Sequence, residues 1–524
     1  AARPYARQRL VEQDRKDGPS KTDVLANPAC VLETISHHKA EFSRADVMRT
    51  LAEHIDDPAE LSKTTAIALK SDRLVALPSD GVPRYTTRDY QAAETKLRSA
   101  AAALSKSKRP AVSQNNITAA MAAQNKAMKR AFGGQLSDEQ SSAIRHVLGK
   151  DQLAQVGGLA GAGKSTMLAT AANAWQLQGI TVNGAALAGK AAEGLQESSG
   201  IKSRTLAALE LSWQNGHTPI ARGDVLVIDE AGMLGTRQLS RVIAKCQEIG
   251  AKLVLVGDPD QLQPIEAGTP FRDLVDTHGA AKLTEIHRQR EDWQRQASHD
   301  LAEGNTDRAM RTYMDKKAVK QSGDVSEAME ALVEQYAMDH AASRPSETRL
   351  AFAHRRKDVH ALNQGIRKAL RGEDCEEDVM LSTATGKRAF APGDRLVFAR
   401  NDKELGVKNG MLGTVEAVSD GKLRVSLDGD TERRVAFNPR SYYHFDHGYA
   451  VTIHKSQGAT VDAAYVLASR SMDKHLTYVA MTRHRDKLQI YSAREDEPKW
   501  MRRLDQERSQ ARPRAGPSRG PSMG

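Results

Sequence analysis

Cysteine, aromatic side chains, long apolar runs and acidic residues are all in short supply in this sequence, and each shortage excludes something. The 524 residues include three cysteines, Cys30, Cys246 and Cys375, far apart and without a Cys-x-x-Cys pair. That spacing argues against a disulfide framework or a zinc finger and fits a reducing cytosol, so a cytoplasmic location is expected. Phe, Trp and Tyr together make 4% of the chain, too few for broad base-stacking platforms. No run of 18 apolar residues occurs, so no membrane span and no membrane partner are expected. The opening Ala-Ala-Arg-Pro-Tyr5 stretch has no apolar segment of the kind a signal peptide needs. It has no initiator Met either, which leaves a processed chain or a piece of something longer. Asp and Glu number 66 against 76 Lys and Arg, a net charge of +10. The excess favours a polyanionic partner, although solubility alone accounts for it equally well.

What is present divides into sections. Residues 1–131 read as a polar, basic, helical region and linker. Ser43 and Asp46 look like a capped helix start, and Asp57-Pro58 starts a second helix. Arg73–Leu77 and Arg84–Thr86 flank the turn residues Pro-Ser-Asp-Gly. Helix, helix, hairpin is a winged-helix-like order, and a plain helical spacer is an equal reading. Residues 132–345 alternate apolar strand-like runs with helical runs, which indicates a parallel sheet with crossover helices and a trailing helical segment. Residues 346–391 and 440–500 form a second unit of this type. Between them, 392–439 read as an all-β insert with hairpin turns at Ser419-Asp-Gly421 and Asp428-Gly429, a small SH3-like barrel. The tail 501–524 has six Arg and two acids among Pro, Gly and Ser, a composition of disorder.

Gly158-Leu-Ala-Gly161-Ala-Gly163-Lys164-Ser165 is a complete P-loop pattern between a strand and a helix. Its glycines let backbone N–H groups turn toward phosphates, and the helix N-terminus adds positive potential at Thr166 and its neighbours. Lys164 brings a charge to the β- and γ-phosphates, and the Ser165 hydroxyl suits Mg²⁺. Asp229-Glu230 ends the apolar run Val225–Ile228, 65 residues beyond Lys164. Asp229 is placed to hold the Mg²⁺ shell and Glu230 to polarise a water. Gly257-Asp258-Pro-Asp-Gln261 follows the next strand, where α/β sheets bind ligands, and Gln261 suits sensing of the γ-phosphate or the water. His444, His447 and His454 match no zinc spacing, and His444 and His447 read as ordinary polar loop residues.

Taken in order, these segments resemble motifs I, II and III of superfamily 1 helicases. Other segments then fall into place over Leu136–Tyr491, roughly two-thirds of the chain. Leu136-Ser-Asp-Glu-Gln140 resembles the Q motif, which implies that Gln140 reads an adenine edge. Leu283–Gln289 resembles motif IV, which implies that Arg288 reaches the γ-phosphate. Gly448–Gly458 resembles motif V, and Tyr478-Val-Ala-Met-Thr-Arg483 resembles motif VI with Arg483 as an arginine finger. Gly184–Ala192 resembles motif Ia, which lines the single-strand groove, although a packed helix start is the other reading. The short motif V and the β insert before it are similar to RecD-like and TraI/TraA-like enzymes. The N-terminal region is similar to the linker before the helicase half of Ti-type conjugative relaxases, the TraA class.

The resemblance implies an α/β fold: two RecA-like P-loop domains, an inserted SH3-like β-barrel and a helical N-terminal region. It implies ATP and Mg²⁺ between the two units, with Arg288 and Arg483 facing the nucleotide from opposite sides. Single-stranded and forked DNA are the implied partners, with other conjugation proteins of the relaxosome or coupling machinery. Movement 5′→3′ is implied, with the stretch from Gln196 to Gly223 as a small separating pin. A stand-alone RecD-like repair helicase is the alternative. A nucleotide-gated DNA-binding module without turnover is the third reading, which the intact set Lys164, Asp229, Glu230, Gln261, Arg288 and Arg483 disfavours.

Overall fold

The computed structural model describes residues 19–262, 264–342, 347–372, 378–419, 421–429 and 433–504. Readings that concern residues 1–18, Cys375 and the tail from 505 to 524 lie outside them.

Two parallel sheets carry the molecule. The first has the strand order Ser203–Thr205, Val182–Ala186, Val225–Ile228, Lys252–Gly257, Leu153–Gly158, Ala281–Leu283. Its central strands are apolar on both faces, as a sheet covered by helices on both sides requires. Val225–Ile228 and Leu253–Val256 have almost no exposed surface. The second sheet has the order Val319–Ser322, His484–Ala493, Val461–Ala468, Arg349–Ala353, Ala450–Thr452, again all parallel. The arrangement is α/β and consistent with RecA-like domains.

The unit boundaries differ from the sequence reading at four places. First, residues 292–342 were assigned to the first unit and belong with the second sheet. Val319–Ser322 pairs with Ile490–Ala493, and Ala297, Leu301, Met310 and Tyr313 bury in the core of that sheet. An amphipathic helix shows that it has a buried face but not which sheet covers it. Second, helices Arg88–Lys106 and Gln114–Phe132 were read with the N-terminal region. Their apolar residues Leu97, Ala101, Leu104, Ile117 and Ala120 bury against the first sheet. Third, the β insert is wider than 392–439. Its antiparallel sheet has the order Arg434–Phe437, Lys422–Leu427, Leu412–Ser419, Arg395–Phe398, Phe445–His447. A hairpin of Val379–Thr383 and Gly386–Phe390 precedes it. Fourth, residues 501–504 are not tail. They continue a helical turn, and Trp500, Met501 and Leu504 bury in the second core.

The N-terminal piece runs helix Val31–His38, strand Phe42–Ser43, helices Arg44–Leu51 and Pro58–Ala68, then the hairpin Leu74–Leu77 and Arg84–Thr87. Phe42–Ser43 pairs beside Arg84–Thr87, giving three strands around a small core of Val31, Leu32, Phe42, Val47 and Leu51. Ser43 and Asp46 close a reciprocal capping box, and Asp57 caps the helix that Pro58 starts. This piece docks on the first unit. Arg237 donates to the Ser36 carbonyl at 2.8 Å, and the Ala267 N–H donates to the His37 carbonyl at 2.8 Å. Among the described residues no helix is long and apolar enough to cross a membrane.

Candidate nucleotide site at the junction of the two sheets

The strand Leu153–Gly158 runs into the loop 159–163, and the helix Lys164–Leu177 begins at its end. Gly161 and Gly163 have φ of +84° and +77°, a region open to glycine at little cost. Space demands glycine there as well. A Cβ on Gly161 would lie 2.5 Å from Arg288 Cβ, and one on Gly163 would strike the Gln140 side-chain amide. Gly161→Ala should therefore displace Arg288, and the strained φ alone should cost about 1 kcal/mol. Thermal unfolding and ATP turnover of that variant check this: both should fall, and an unchanged turnover would separate the loop from Arg288. Lys164 folds over its own loop, its Nζ donating to the carbonyls of Gly158 at 2.7 Å and Leu159 at 3.0 Å.

Asp229 and Glu230 stand at the end of Val225–Ile228. Glu230 has φ of +53°, unusual for a residue with a side chain. Holding it there costs on the order of 1–3 kcal/mol, and such strain is concentrated at functional sites. Its N–H donates to Asp229 Oδ1 at 2.9 Å. Burial and the Glu230 charge raise the Asp229 carboxyl to about 7, and Lys164 pulls it back. Two carboxylates and a lysine thus share one small region.

Asp258 is buried after the strand Lys252–Gly257. It accepts the Asp260 N–H on Oδ1 at 3.0 Å and the Gln261 Nε2–H on Oδ2 at 3.2 Å. Gln261 Oε1 is buried with no hydrogen-bond partner among the described residues. An orphaned acceptor at a cleft is where a ligand or ordered water belongs.

The second sheet supplies the other wall. Arg483 follows the helix Lys474–Met481 and is 2% exposed. Its Nε donates to the Val479 carbonyl at 2.9 Å. Arg288 Nη1 donates to the Thr482 carbonyl at 2.7 Å. Arg288 and Arg483 therefore converge at one junction. The reason lies in the chain path: the segment from Arg288 runs along residues 482–486, with Gln289 Nε2 donating to His484 O at 3.1 Å and Arg290 N to Arg485 O at 3.1 Å. Burial and the Arg483 charge lower Arg288 to about 9, and burial with Arg288 nearby lowers His484 to about 3. A desolvated, mutually repelling cationic pair is a site for an anion.

These groups open into one cleft of about 710 Å³. It is lined by Gly161, Gly163, Lys164, Ser165, Asp229, Glu230, Gln261, Arg288 and Arg483. The glycine cradle, the orphaned amide oxygen and the paired arginines fit a nucleotide polyphosphate, and Ser165 and Asp229, which line the same cleft, fit its divalent ion. Gly158, Thr166 and Gln140 stand outside the lining. Gln140 Oε1 accepts the Ser137 N–H at 3.1 Å in a capping box, so its oxygen is already engaged. Sequence reasoning missed Asp258 and Tyr478 as partners. Both lie inside quoted motifs, but their link needs the two units brought together.

Further along the cleft, the helix Gly189–Ser199 meets the β insert. Arg433 bonds Glu193 at 2.8 Å, and a Cβ on Gly189 would lie 3.3 Å from Lys408 Cβ. The stretch 196–223 forms no projecting hairpin. Ser203–Thr205 is the edge strand of the first sheet, and Leu206, Leu209 and Ile220 of the following segment bury in its core. Among the described residues no group of three His, Cys, Asp or Glu side chains could hold a metal ion.

Two parallel sheets with this P-loop cleft between them define a P-loop ATPase. Residues 135–324 match the AAA domain family, and residues 412–492 match the core domain of viral superfamily 1 RNA helicases. The conjugal transfer protein TraA of Agrobacterium fabrum is 44% identical over 496 residues, covering 92% of this chain and 44% of that protein. The ATP-dependent RecD2 DNA helicase of Deinococcus radiodurans is 28% identical over 365 residues, covering 67% of this chain and 48% of that protein. A Pif1 helicase structure from Bacteroides, in complex with ADP-AlF3 and ssDNA, is 19% identical with a TM-score of 0.47, covering 72% of this chain and 97% of that one. The chain is a homologue of the TraA conjugal transfer proteins and carries AAA and superfamily 1, RecD-like helicase domains. It spans less than half the length of the TraA proteins it matches.

Proposed function

We propose that this chain is the DNA motor of a conjugative transfer protein, the helicase part of a relaxase–helicase, hydrolysing ATP to move 5′→3′ along single-stranded DNA. The observation that carries the reading is the cleft, which Lys164, Asp229, Glu230 and Gln261 line from one sheet and Arg483 from the other, with Arg288 bridging them. In this reading Lys164 neutralises the β- and γ-phosphates, and the N–H groups of the loop from Gly158 to Thr166 cradle them. Ser165 and Asp229 hold Mg²⁺, which supplies charge neutralisation at the phosphates. Glu230 takes the proton of the attacking water, and Gln261 orients that water through its free oxygen. Arg288 and Arg483 stabilise charge that develops on the transferred phosphoryl group. Gln140 contributes to the adenine end once its amide turns from the Ser137 cap.

The β insert, read as an SH3-like barrel, borders the DNA path with the start of the Gly189–Ser199 helix. Lys190 and Lys408 offer charge for phosphates there. The physiological partners are single-stranded and forked DNA together with other relaxosome or coupling proteins. Cytoplasmic DNA processing is the setting.

Partial duplexes with one single-stranded tail test the direction. The 5′-tailed substrate should be unwound with ATP and Mg²⁺, and the 3′-tailed one should not. Unwinding of the 3′-tailed substrate alone would overturn the direction and weaken the conjugative reading with it.

Strand cleavage needs a nucleophilic tyrosine beside a metal held by clustered histidines, and the described residues offer no such cluster. Incubated with a transfer-origin oligonucleotide and Mg²⁺ or Mn²⁺, this chain alone should leave the strand intact on a denaturing gel. A site-specific nick would mean that the relaxase chemistry lies within it.

A further inference from the structure

One buried hydroxyl of the second unit joins two loops of the first. Tyr478 lies on the helix Lys474–Met481 and is 1% exposed. Its hydroxyl oxygen accepts the Ala160 N–H of the P-loop at 3.0 Å. Its O–H donates to Asp258 Oδ2 at 2.7 Å. That same oxygen receives the Gln261 Nε2–H at 3.2 Å, which leaves Gln261 Oε1 buried and unpaired among the described residues at the cleft. The residue after Tyr478 supplies the carbonyl that orients Arg483. The ring packs in the apolar core that also holds Ala160 and Leu262. A tyrosine of one unit thus touches the P-loop backbone, the carboxylate that holds Gln261, and the helix end that carries Arg483.

We propose that Tyr478 is a positioning residue for ATP hydrolysis, whose hydroxyl registers the second unit on the first and so sets Gln261 and Arg483 at the cleft together. The inference rests on the reading of this cleft as the nucleotide site. Burial and the Asp258 charge hold the phenol protonated, well above its usual range, so it acts as a donor to Asp258. Removing the hydroxyl leaves the buried Ala160 N–H without its acceptor and takes a donor from Asp258. Unpaired buried groups are penalised, whereas the same groups facing water are not. The penalty therefore falls on the seated arrangement, in which the units are together, and spares the separated one. ATP binding relies on the P-loop and should be little affected. The chemical step relies on the seated arrangement and should slow.

The test is Tyr478→Phe in the full chain, with Asp258→Asn and the double variant beside it. ATP turnover is measured with and without oligo-dT. Rates are normalised to active sites titrated with a non-hydrolysable ATP analogue, so a misfolded fraction does not count. Tyr478→Phe should lower kcat on the order of tenfold and leave the KM for ATP within about twofold, as misplacement of catalytic groups does. The double variant should be no slower than the slower single variant, because the two side chains act as one unit. An unchanged kcat in Tyr478→Phe would overturn the proposal. So would losses that multiply in the double variant, or a KM that rises as far as kcat falls. A wild-type chain that binds no analogue would instead overturn the nucleotide-site reading.

Discussion

Lys164→Ala should turn over ATP at less than about a tenth of the wild-type rate while holding single-stranded DNA nearly as well as the parent. Lys164 is the only cation in the loop from Gly158 to Ser165. Its Nζ is held by two carbonyls of that loop, an arrangement that keeps the amine over the cradle rather than out in solvent. Carbonyls are neutral partners, so a polyphosphate outcompetes them for the ammonium. Once the lysine is gone, nothing else in the loop offsets the phosphate charge. The acidic pair Asp229 and Glu230 then faces that charge with less compensation, since Lys164 is the cation that draws Asp229 back down. The fold should survive, because the side chain is only partly buried. Steady-state ATPase beside fluorescence anisotropy on an oligonucleotide checks both halves. Turnover above roughly a tenth of wild type would mean that the cradle is not where hydrolysis occurs.

Arg288→Ala and Arg483→Ala should each lower kcat by on the order of 10³-fold or more, with far smaller changes in ATP affinity. Both guanidiniums sit out of water at the junction, at an electrostatic cost; burial lowers both pKa values, and the Arg483 charge lowers Arg288 further. That cost is relieved when negative charge grows between them, which happens as a phosphoryl group is transferred. The two variants should differ in one respect. Arg288 also bonds the Thr482 carbonyl across the units, so its loss should loosen the junction as well as remove a charge. Arg483→Ala leaves a hole where a fully buried side chain stood, so Arg483→Lys belongs beside it. Lysine keeps a charge but not the planar fork, and should recover only part of the rate. Normal turnover with weakened ATP binding would make either arginine a binding residue instead.

The segments that line the cleft were legible from the sequence wherever a short run carries them. The Gly158–Ser165 loop, the Asp229-Glu230 pair and Gln261 are local patterns, and strand, turn and helix follow each other within a few residues. The capped helix start at Ser43 was equally local. Assignments that depend on long-range packing were not legible. The helices Asp292–Ala302 and Thr306–Asp315 have apolar faces that would suit either sheet, and only the pairing of Val319–Ser322 with Ile490–Ala493 assigns them to the second. Gln140 shows a different limit. One residue can cap a helix or meet a nucleotide, and the motif alone does not say that its oxygen is bonded to Ser137. That Arg288 and Arg483 meet at one junction was not legible either, because it depends on the chain running along residues 482–486 immediately after Arg288. In the stretch expected to carry a separating pin, Leu206, Leu209 and Ile220 are core residues while 214–218 are exposed.

ATP turnover at the cleft should drive work on DNA. Strand displacement from a forked duplex, followed in real time by fluorescence dequenching with ATP turnover measured in the same mixture, tests it most directly. Displacement should need both ATP and Mg²⁺, ATPase should rise and saturate with single-stranded DNA, and both signals should be lost together in Lys164→Ala. ATP turnover indifferent to DNA, with no strand displaced under any nucleotide condition, would contradict it.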